Sequence, residues 1–166
     1  WEIYQGSESS LYDGDDSTYV WYDPNGGSGD SAVVGDYLGY DFGEVLNLQS
    51  IHAVIGNSGT DKLLKYNIEV SVDGENWDVV KACTGAETGM DTVDIELNGV
   101  QAQYVRIRNT ELRNYWIKFS ELTVELVSEA DGSYVYANVS DELLSERSGN
   151  VISLLGGEVT LDEGKY

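Results

Sequence analysis

The chain has 166 residues, 41% of them hydrophobic, and a formal net charge of -21 from 30 acidic and 9 basic side chains. This charge excludes nucleic acids and anionic membranes as favoured partners, because both are bound through clustered Lys and Arg. No apolar run reaches the roughly 18 residues that a membrane-spanning helix needs. The 12 Tyr and 4 Trp favour a folded chain over a disordered one.

Cysteine and histidine limit the chemistry further. Cys83 is the only cysteine, so no intrachain disulfide can form, and His52 is the only histidine, so a site with several His ligands is excluded. The lack of disulfides fits a bacterial or a cytosolic protein. We expect any export signal to precede Trp1, and His52 to be a side chain on a strand face.

Short alternating segments separated by turn residues predict an all-β domain. The predicted strands are residues 36–42, 48–55, 66–72, 92–97, 104–108 and 118–127. In the third strand apolar and polar side chains alternate, which predicts one buried face. Asp73 and Gly74 predict a hairpin after it, because both tolerate positive φ, and Trp77 is expected in the core. No segment before residue 126 has the period of a helix of ordinary length.

The composition shifts near Ser128, where a polar segment ending in Gly132 reads as a linker. The sequence therefore predicts a domain over residues 1–126 and, over residues 127–166, a linker with a partial accessory segment. Within that segment, residues 140–146 predict a short helix capped by Ser140. Residues 151–161 predict a hairpin around Gly156 and Gly157.

The acidic turn LYDGDDSTYVW, residues 11–21, is the first motif that carries chemistry. Its carboxylates and hydroxyl are hard oxygen ligands of the kind that calcium binds, about six to eight at a time. The spacing differs from that of the helical calcium loop, because Pro24 stands at the twelfth position counted from Asp13, where that loop has Glu. On this motif alone, a solvated surface turn is the favoured interpretation over a metal site.

The segment IKFSELTVEL contains a second unusual acid, Glu121. Strict strand alternation predicts that Phe119 and Glu121 lie on the same side. A carboxylate on an apolar face needs a partner, because a buried unpaired charge is costly. A cation held by the Asp13 turn would supply one.

Taken in order, the motifs resemble one family. They are the DGDxxT turn leading to a tryptophan, GDYLGYDFGEV, YNIEVSVDGENW, YVRIRN and WIKFSELTVEL. Together they resemble the discoidin family, also called coagulation factor V/VIII type C domains, and within it the family 32 carbohydrate-binding modules of bacterial glycosidases. The resemblance covers residues 1–126 and implies a jelly-roll β-sandwich of two antiparallel sheets.

The resemblance also implies a structural calcium ion. The implied ligands are the side chains of Asp13, Asp15, Thr18 and Glu121 and the backbone carbonyls of Leu11 and Ser120. One departure from the family pattern is visible, because two residues, Tyr19 and Val20, separate Thr18 from Trp21 where one is commoner. This departure leaves the orientation of Trp21 open.

The resemblance implies a carbohydrate site on the loops at one end of the sandwich, where a sugar would stack on aromatic rings and bind a few polar groups. The candidate residues are Trp21, Tyr22, Asn57, Asp61, Lys62, Arg113, Asn114, Tyr115 and Trp116. Two alternatives stay open: Trp116 as a cap on the core, and residues 57–62 as a plain connecting loop. Because His52 lies in a predicted strand, the resemblance implies no preference for galactose.

The sequence contains no nucleophile elbow, phosphate-binding glycine loop or metal-binding His pair. The resemblance implies binding without turnover. We therefore expect a monomeric, non-catalytic module of a secreted or cell-surface bacterial glycoside hydrolase, which targets that enzyme to host glycans containing hexosamine or galactose. A protein-adhesion module binding a protein or cell-surface partner is the alternative, because fold alone does not fix function.

Overall fold

The structure is a computed structural model that describes residues 1–24, 32–127, 134–136, 144–148 and 151–154. The first seven strands are β1 Glu2–Gln5, β2 Val20–Asp23, β3 Tyr37–Ile55, β4 Lys65–Ser71, β5 Asp78–Thr84, β6 Asp91–Asn109 and β7 Ile117–Val127. One turn of 3-10 helix, Glu8–Leu11, lies between β1 and β2, and the Ser7 hydroxyl caps it by accepting the N–H of Ser9. The predicted all-β class is confirmed.

Strands β3 and β6, each 19 residues long, run through both sheets of the fold. Residues 37–41 of β3 pair with residues 104–108 of β6, and β4 and β5 follow outward to complete the first sheet. Residues 50–55 of β3 pair with residues 91–96 of β6 on one side and with β7 on the other. Strands β2 and β1 follow β7 and complete the second sheet. All of these pairs are antiparallel.

The two long strands correspond to four predicted strands that are joined end to end. The β3–β6 register breaks between Asp41 and Leu46 and again between Leu48 and Ser50. Positive φ values occur near these breaks, at Gly43 (75°) and Gly99 (88°). The same glycines suggest turns in the sequence, but here they form bulges, which let a strand bend from one sheet into the next.

The facing sides of the two sheets share one core. The first sheet contributes Leu38, Tyr40, Tyr66, Ile68, Val70, Val105 and Ile107, and the second contributes Val20, Tyr22, Ile51, Ala53, Ile55, Ile117, Phe119, Leu122 and Val124. The predicted alternation of β4 is confirmed for its apolar side chains within the strand. Val72, beyond the end of β4, is 49% exposed.

The predicted hairpin at Asp73 and Gly74 is confirmed. It joins β4 to β5, Gly74 has a φ of 74°, and the Asp73 carboxylate accepts the N–H groups of Glu75 and Asn76. The expectation that Trp77 belongs to the core is wrong. Its ring lies on the outer face of the first sheet, where the guanidinium of a β6 arginine stacks on it.

Three further strands are β8 Tyr134–Tyr136, β9 Leu144–Ser148 and β10 Val151–Leu154. Strand β8 pairs with β7, β9 pairs antiparallel with β10, and β10 pairs parallel with β3. The helix predicted over residues 140–146 is wrong at residues 144–146, because strand pairing outweighs the weak helix propensity of so short a segment; residues 140–143 lie outside the described residues. Of the hairpin predicted over residues 151–161, only the part that forms β10 is described, and Gly156 and Gly157 lie outside the described residues. The domain boundary near residue 126 stays a prediction.

None of the helices in the described ranges is long and apolar enough to cross a membrane.

One buried hydrogen bond joins the two sheets directly. The Tyr40 hydroxyl on β3 donates to the Leu122 carbonyl on β7 at 2.6 Å. Burial, followed by the nearby charge of Glu121, holds the pKa of Tyr40 well above its usual range, so the hydroxyl remains a donor at ordinary pH.

We expect Tyr40→Phe to lower the free energy of unfolding by about 1–3 kcal/mol, because it leaves the Leu122 carbonyl buried without its donor. The measurement is urea denaturation of both proteins. Tyr4→Phe is the control, since Tyr4 is 59% exposed, and a surface change of this kind stays within about 0.5 kcal/mol. Equal effects of the two substitutions would contradict the role given to Tyr40.

Candidate functional site

The acidic turn is folded by its own side chains. The Asp13 carboxylate accepts the N–H of Asp15 at 2.9 Å and the hydroxyl of Thr18 at 2.8 Å. The Asp15 carboxylate accepts both the N–H and the hydroxyl of Ser17. Gly14, between the two acids, has a φ of 74°, which favours glycine at that position. The turn therefore brings the oxygens of Asp13, Asp15 and Thr18 together.

A β-bulge determines where Glu121 points. Val54 pairs with Glu121 and Ile55 pairs with Phe119, so Ser120 is an extra residue in β7. Ile55 and Phe119 belong to the core cluster, whereas Val54 does not. Because paired residues share a face, Phe119 and Glu121 lie on opposite faces. The expectation that they share one is wrong, because the bulge interrupts the alternation.

Glu121 is nevertheless buried, at 1% exposure. Neither of its carboxylate oxygens forms a well-aligned hydrogen bond among the described residues, although the backbone N–H groups of Gly14 and Asp15 lie near them. Burial is the largest cause that raises the pKa of Glu121 to about 7, followed by the nearby Asp13 carboxyl, while the backbone amides of Gly14 and Asp15 act in the opposite direction. The Asp13 carboxyl thus disfavours the ionised form of Glu121, and a cation between them would relieve this cost.

The other residues expected around a calcium ion lie next to this pair of acids. Leu11 ends the 3-10 helix, which packs against β7, and is fully buried. Ser120 is also fully buried, and its hydroxyl donates to the Gly56 carbonyl at 3.0 Å. Within the described ranges, no three or more His, Cys, Asp or Glu side chains are grouped so that they could hold a metal ion. A cation would thus need the Thr18 hydroxyl and backbone carbonyls as well as the carboxylates.

The raised pKa of Glu121 makes the stability of the metal-free protein depend on pH. Between about pH 4.5 and 7 the folded state retains a proton that the unfolded state has released. The contribution of Glu121 is therefore fully present below pH 4.5 and lost as the pH rises through about 7. In a chelating buffer we expect the free energy of unfolding to fall across this window, and Glu121→Gln to remove that fall.

Urea denaturation at a series of pH values measures this dependence. Glu125→Gln is the control on the same strand, because the Glu125 carboxylate is half-buried and accepts the Ser50 hydroxyl at 2.7 Å. The control is expected to keep the decline. Superimposable pH profiles for the wild type and Glu121→Gln would contradict the description of Glu121.

An aromatic cluster covers the outer face of the second sheet. We define it as Tyr4, Tyr19, Trp21 and Trp116 together with Lys118. The ring centroids of Tyr4 lie 5.1 Å from Trp21 and 4.4 Å from Trp116, and the two tryptophans are 5.3 Å apart. The Lys118 ammonium lies 4.2 Å from the Trp21 ring centroid and 4.9 Å from that of Tyr19.

Strand pairing explains the cluster. Trp21 pairs with Lys118, while its neighbours Val20 and Tyr22 pair with the core residues Phe119 and Ile117. Trp21 therefore faces outward, which resolves the orientation that the sequence left open. Trp116 packs on Trp21 and Tyr4 rather than within the core cluster, so it is not a core cap.

Three of the predicted sugar-binding residues are buried and need correction. Tyr22 is 1% exposed and packs in the core, with its ring 6.2 Å from that of Phe119. Lys62 is fully buried, and its ammonium pairs with the Asp91 carboxylate at 2.6 Å. Arg113 is 8% exposed and donates to the carbonyls of Lys62 and Thr60. A buried charge needs partners of this kind, so both cations stabilise the loops instead of facing a ligand.

The remaining candidates lie beside the aromatic cluster. Asn57 donates from its side chain to the Ser17 carbonyl at 3.2 Å, which ties residues 57–61 to the acidic turn. Asp61 is half-buried, and its carbonyl accepts the N–H of Lys118. Asn114 and Tyr115 are exposed in the loop before β7. The structure thus brings the loop of residues 57–62 and the loop before β7 to the edge of the cluster. Residues 25–31, which follow β2, lie outside the described residues.

Sequence reasoning missed Tyr4, Tyr19 and Lys118. Strands β1 and β2 have four residues each, too few to give a clear alternating pattern. The signal that was available is the alternation of Lys118 with Ile117 and Phe119, which predicts an outward lysine.

Comparison with known proteins gives one family and many similar folds. The family model that matches the chain is that of the F5/8 type C domain, over residues 2–122. The fold is similar to CBM32-1 from a family 31 glycoside hydrolase of Clostridium perfringens, with a TM-score of 0.54, 17% identity, and coverage of 74% of this chain and 88% of that one. No curated protein matches the chain.

Two further solved structures are similar. Chitosan-binding module 1 of a chitosanase/glucanase from Paenibacillus sp. IK-5 has a TM-score of 0.53 and 22% identity, covering 74% of this chain and 89% of that one. The Clostridium perfringens module CpGH89CBM32-5, solved with GalNAc-β-1,3-galactose, has a TM-score of 0.50 and 18% identity, covering 72% and 84%. These similarities confirm the predicted β-sandwich of antiparallel sheets.

Proposed function

The chain belongs to the F5/8 type C domain family, and from this premise we propose that it is a non-catalytic module that binds a neutral carbohydrate through the aromatic cluster. Domains of this family are binding modules. The observation that carries the proposal is the grouping of Tyr4, Trp21 and Trp116 on an outer sheet face, where Tyr4 is 59% exposed. A pyranose stacks its C–H face on such rings, and polar groups beside them bind its hydroxyls.

The surroundings of the cluster supply those polar groups. Asn114 is exposed and Asp61 half-buried on the two adjoining loops. Lys118 is 8% exposed, with its ammonium placed over the Trp21 ring. The net charge of -21 disfavours an acidic polysaccharide and leaves neutral sugars as the better ligands.

Hexosamine- or galactose-containing glycans of a host are the proposed ligands. Support comes from the similar modules, of which one is named for chitosan and another was solved with GalNAc-β-1,3-galactose. We place the chain in a secreted or cell-surface bacterial glycoside hydrolase, as a monomeric module within a multidomain enzyme. There it would raise the local concentration of substrate by tethering, even with weak intrinsic affinity.

The proposal includes a structural calcium ion. The ligands would be the side chains of Asp13, Asp15, Thr18 and Glu121 and the backbone carbonyls of Leu11 and Ser120. The fit rests on the buried, unpartnered Glu121 carboxylate and its proximity to Asp13, since calcium accepts carboxylates and carbonyls together. When bound, the ion supplies the positive charge that these two acids lack and holds the turn against β7.

A protein partner is the second candidate. Val33, Val34 and Leu112 are 46%, 58% and 57% exposed. They flank the short pairing of Ala32 with Arg113 and so form an exposed apolar patch. A glycan array and a cell-surface protein array, probed with the same chain, distinguish the two candidates: glycan spots alone support the carbohydrate proposal, and protein spots alone overturn it.

We expect Trp116→Ala to weaken sugar binding at least about tenfold, which corresponds to roughly 1.4 kcal/mol, because it removes one ring of the cluster. Calorimetric titration with galactose, N-acetylgalactosamine and N-acetylglucosamine measures the affinity. The control is Val79→Ala, which removes exposed apolar surface from β5 at the opposite end of the strand order. Affinity retained in Trp116→Ala would remove Trp116 from the site.

We expect calcium to stabilise the wild type by on the order of 1 kcal/mol or more, which raises its melting temperature by several degrees. Calcium should not raise the melting temperature of Asp13→Ala. The matched control is Asp16→Ala, because Asp16 is an exposed acid of the same turn outside the proposed ligand set. The readout is the difference between calcium and chelator for each protein, since Asp13 also folds the turn. An equal calcium effect in both variants, or none in the wild type, would count against the site.

A further inference from the structure

The outer face of the first sheet holds a cleft of about 250 Å³ between β3, β6 and the β4–β5 hairpin. Its lining includes Tyr37, Gly39, Asp73, Trp77, Tyr104 and Arg106. None of these residues belongs to the aromatic cluster, which lies on the second sheet. We propose that this cleft is a second carbohydrate site, which holds one neutral pyranose; the choice of ligand class rests on the proposed function.

The cleft exists because β3 carries a glycine opposite β6. Gly39 pairs with Arg106, and a Cβ built on Gly39 would lie 2.2 Å from the Val105 carbonyl oxygen and 2.8 Å from the Arg106 Cα. No side chain fits there, so the outward row on β3 has a gap between Tyr37 and Asp41. A strand glycine of this kind marks a place where another molecule can approach the backbone.

Arg106 is fixed in orientation beside this gap. Its Nε and Nη2 atoms lie 2.7 and 2.6 Å from one carboxylate oxygen of Glu69. Its guanidinium carbon lies 3.5 Å from the Trp77 ring centroid and 5.2 Å from that of Tyr37. Glu69 thus engages Nε and Nη2 on one side of the guanidinium. A planar donor that is already oriented loses little entropy when it binds a hydroxyl.

A structural role alone does not account for the cleft. The ion pair with Glu69, which is 3% exposed, would hold Arg106 without any open volume beside it. The cleft has instead two further aromatic walls, Tyr37 and Tyr104, which are both half-buried and therefore present part of each ring to solvent. Aromatic walls with a few placed polar groups are the usual composition of a sugar or small-ligand pocket.

The charges of the cleft select among sugars. Among the residues that line the cleft, the carboxylates of Asp73 and Glu75 outnumber the single guanidinium, that of Arg106, which already pairs with buried Glu69. A sugar acid would meet this excess of negative charge, whereas a neutral sugar can accept from the guanidinium and donate to a carboxylate. The site is therefore assigned to neutral sugars and not to uronic or sialic acids.

The two sites carry separate tryptophan reporters. The Trp77 indole N–H donates to the Gly74 carbonyl at 2.9 Å, at the rim of the cleft. Trp21 and Trp116 report on the aromatic cluster. The experiment is a ¹H–¹⁵N NMR titration of the whole chain with galactose, N-acetylgalactosamine, N-acetylglucosamine and, for comparison, glucuronic acid.

With at least one neutral sugar we expect the Trp77 signal to shift along its own binding curve, and to shift far less with glucuronic acid. The shift should persist in Trp116→Ala. It should be lost, or its midpoint raised at least about fivefold, in Tyr104→Ala and in Arg106→Lys, while the Trp116 signal of these variants still responds. Arg106→Lys keeps a cation beside buried Glu69, so it tests the planar donor in a folded protein.

The outcomes separate this inference from the proposed function. A Trp77 signal that no neutral sugar moves, or that still moves with unchanged midpoint in both Tyr104→Ala and Arg106→Lys, overturns the second site. Movement of Trp77 without movement of Trp21 or Trp116 supports the cleft and overturns binding at the aromatic cluster. If none of the three signals moves, both proposals fail.

Discussion

The burial of the Glu121 carboxylate beneath the acidic turn is the constraint on which the functional end of this domain depends. The Ser120 bulge turns Glu121 away from the core, and the Asp13 turn then covers it. A carboxylate that is buried without a partner costs stability. The fold therefore buries this acid at the point where β7, the 3-10 helix and the turn meet, and the proposed calcium ion would supply the missing positive charge there.

The acidic turn and Glu121 are connected to the aromatic cluster through short stretches of chain. The turn leads directly into β2, which carries Trp21, and β7 carries Lys118 three residues before Glu121. Asn57 attaches the loop of residues 57–61 to the turn by a hydrogen bond to Ser17. The turn and the strands and loops that present the rings are therefore in direct contact, so the proposed ion and the proposed sugar site would share one support.

Local patterns in the sequence predicted much of the fold, because they depend on neighbouring residues alone. The alternation in β4 and the turn at Asp73 and Gly74 are examples. The pattern failed where the outcome depends on distant pairing: the Ser120 bulge separated Phe119 from Glu121, and the bends in β3 and β6 joined strands that look separate in the sequence. A bulge is defined by two strands together, so one strand alone does not show it.

The candidate site shows the same division. The order of the motifs in the sequence predicts Trp21 and Trp116 as site residues. The charges of Lys62 and Arg113 suggest exposed ligand groups, but both side chains are buried with partners from distant segments. Tyr4 entered the site only through the pairing of β1 with β2. The sequence does not predict the cleft on the first sheet, because it requires Gly39, Trp77 and Arg106, from three separate stretches of chain, to meet on one sheet face.

A crystal structure of the chain grown with calcium would show whether an ion binds between the turn and β7. We predict one ion that contacts carboxylate oxygens of both Asp13 and Glu121, with Ser120 still forming the bulge. A Glu121 carboxylate that points to solvent or is satisfied by protein donors, with no ion at the turn, would contradict it.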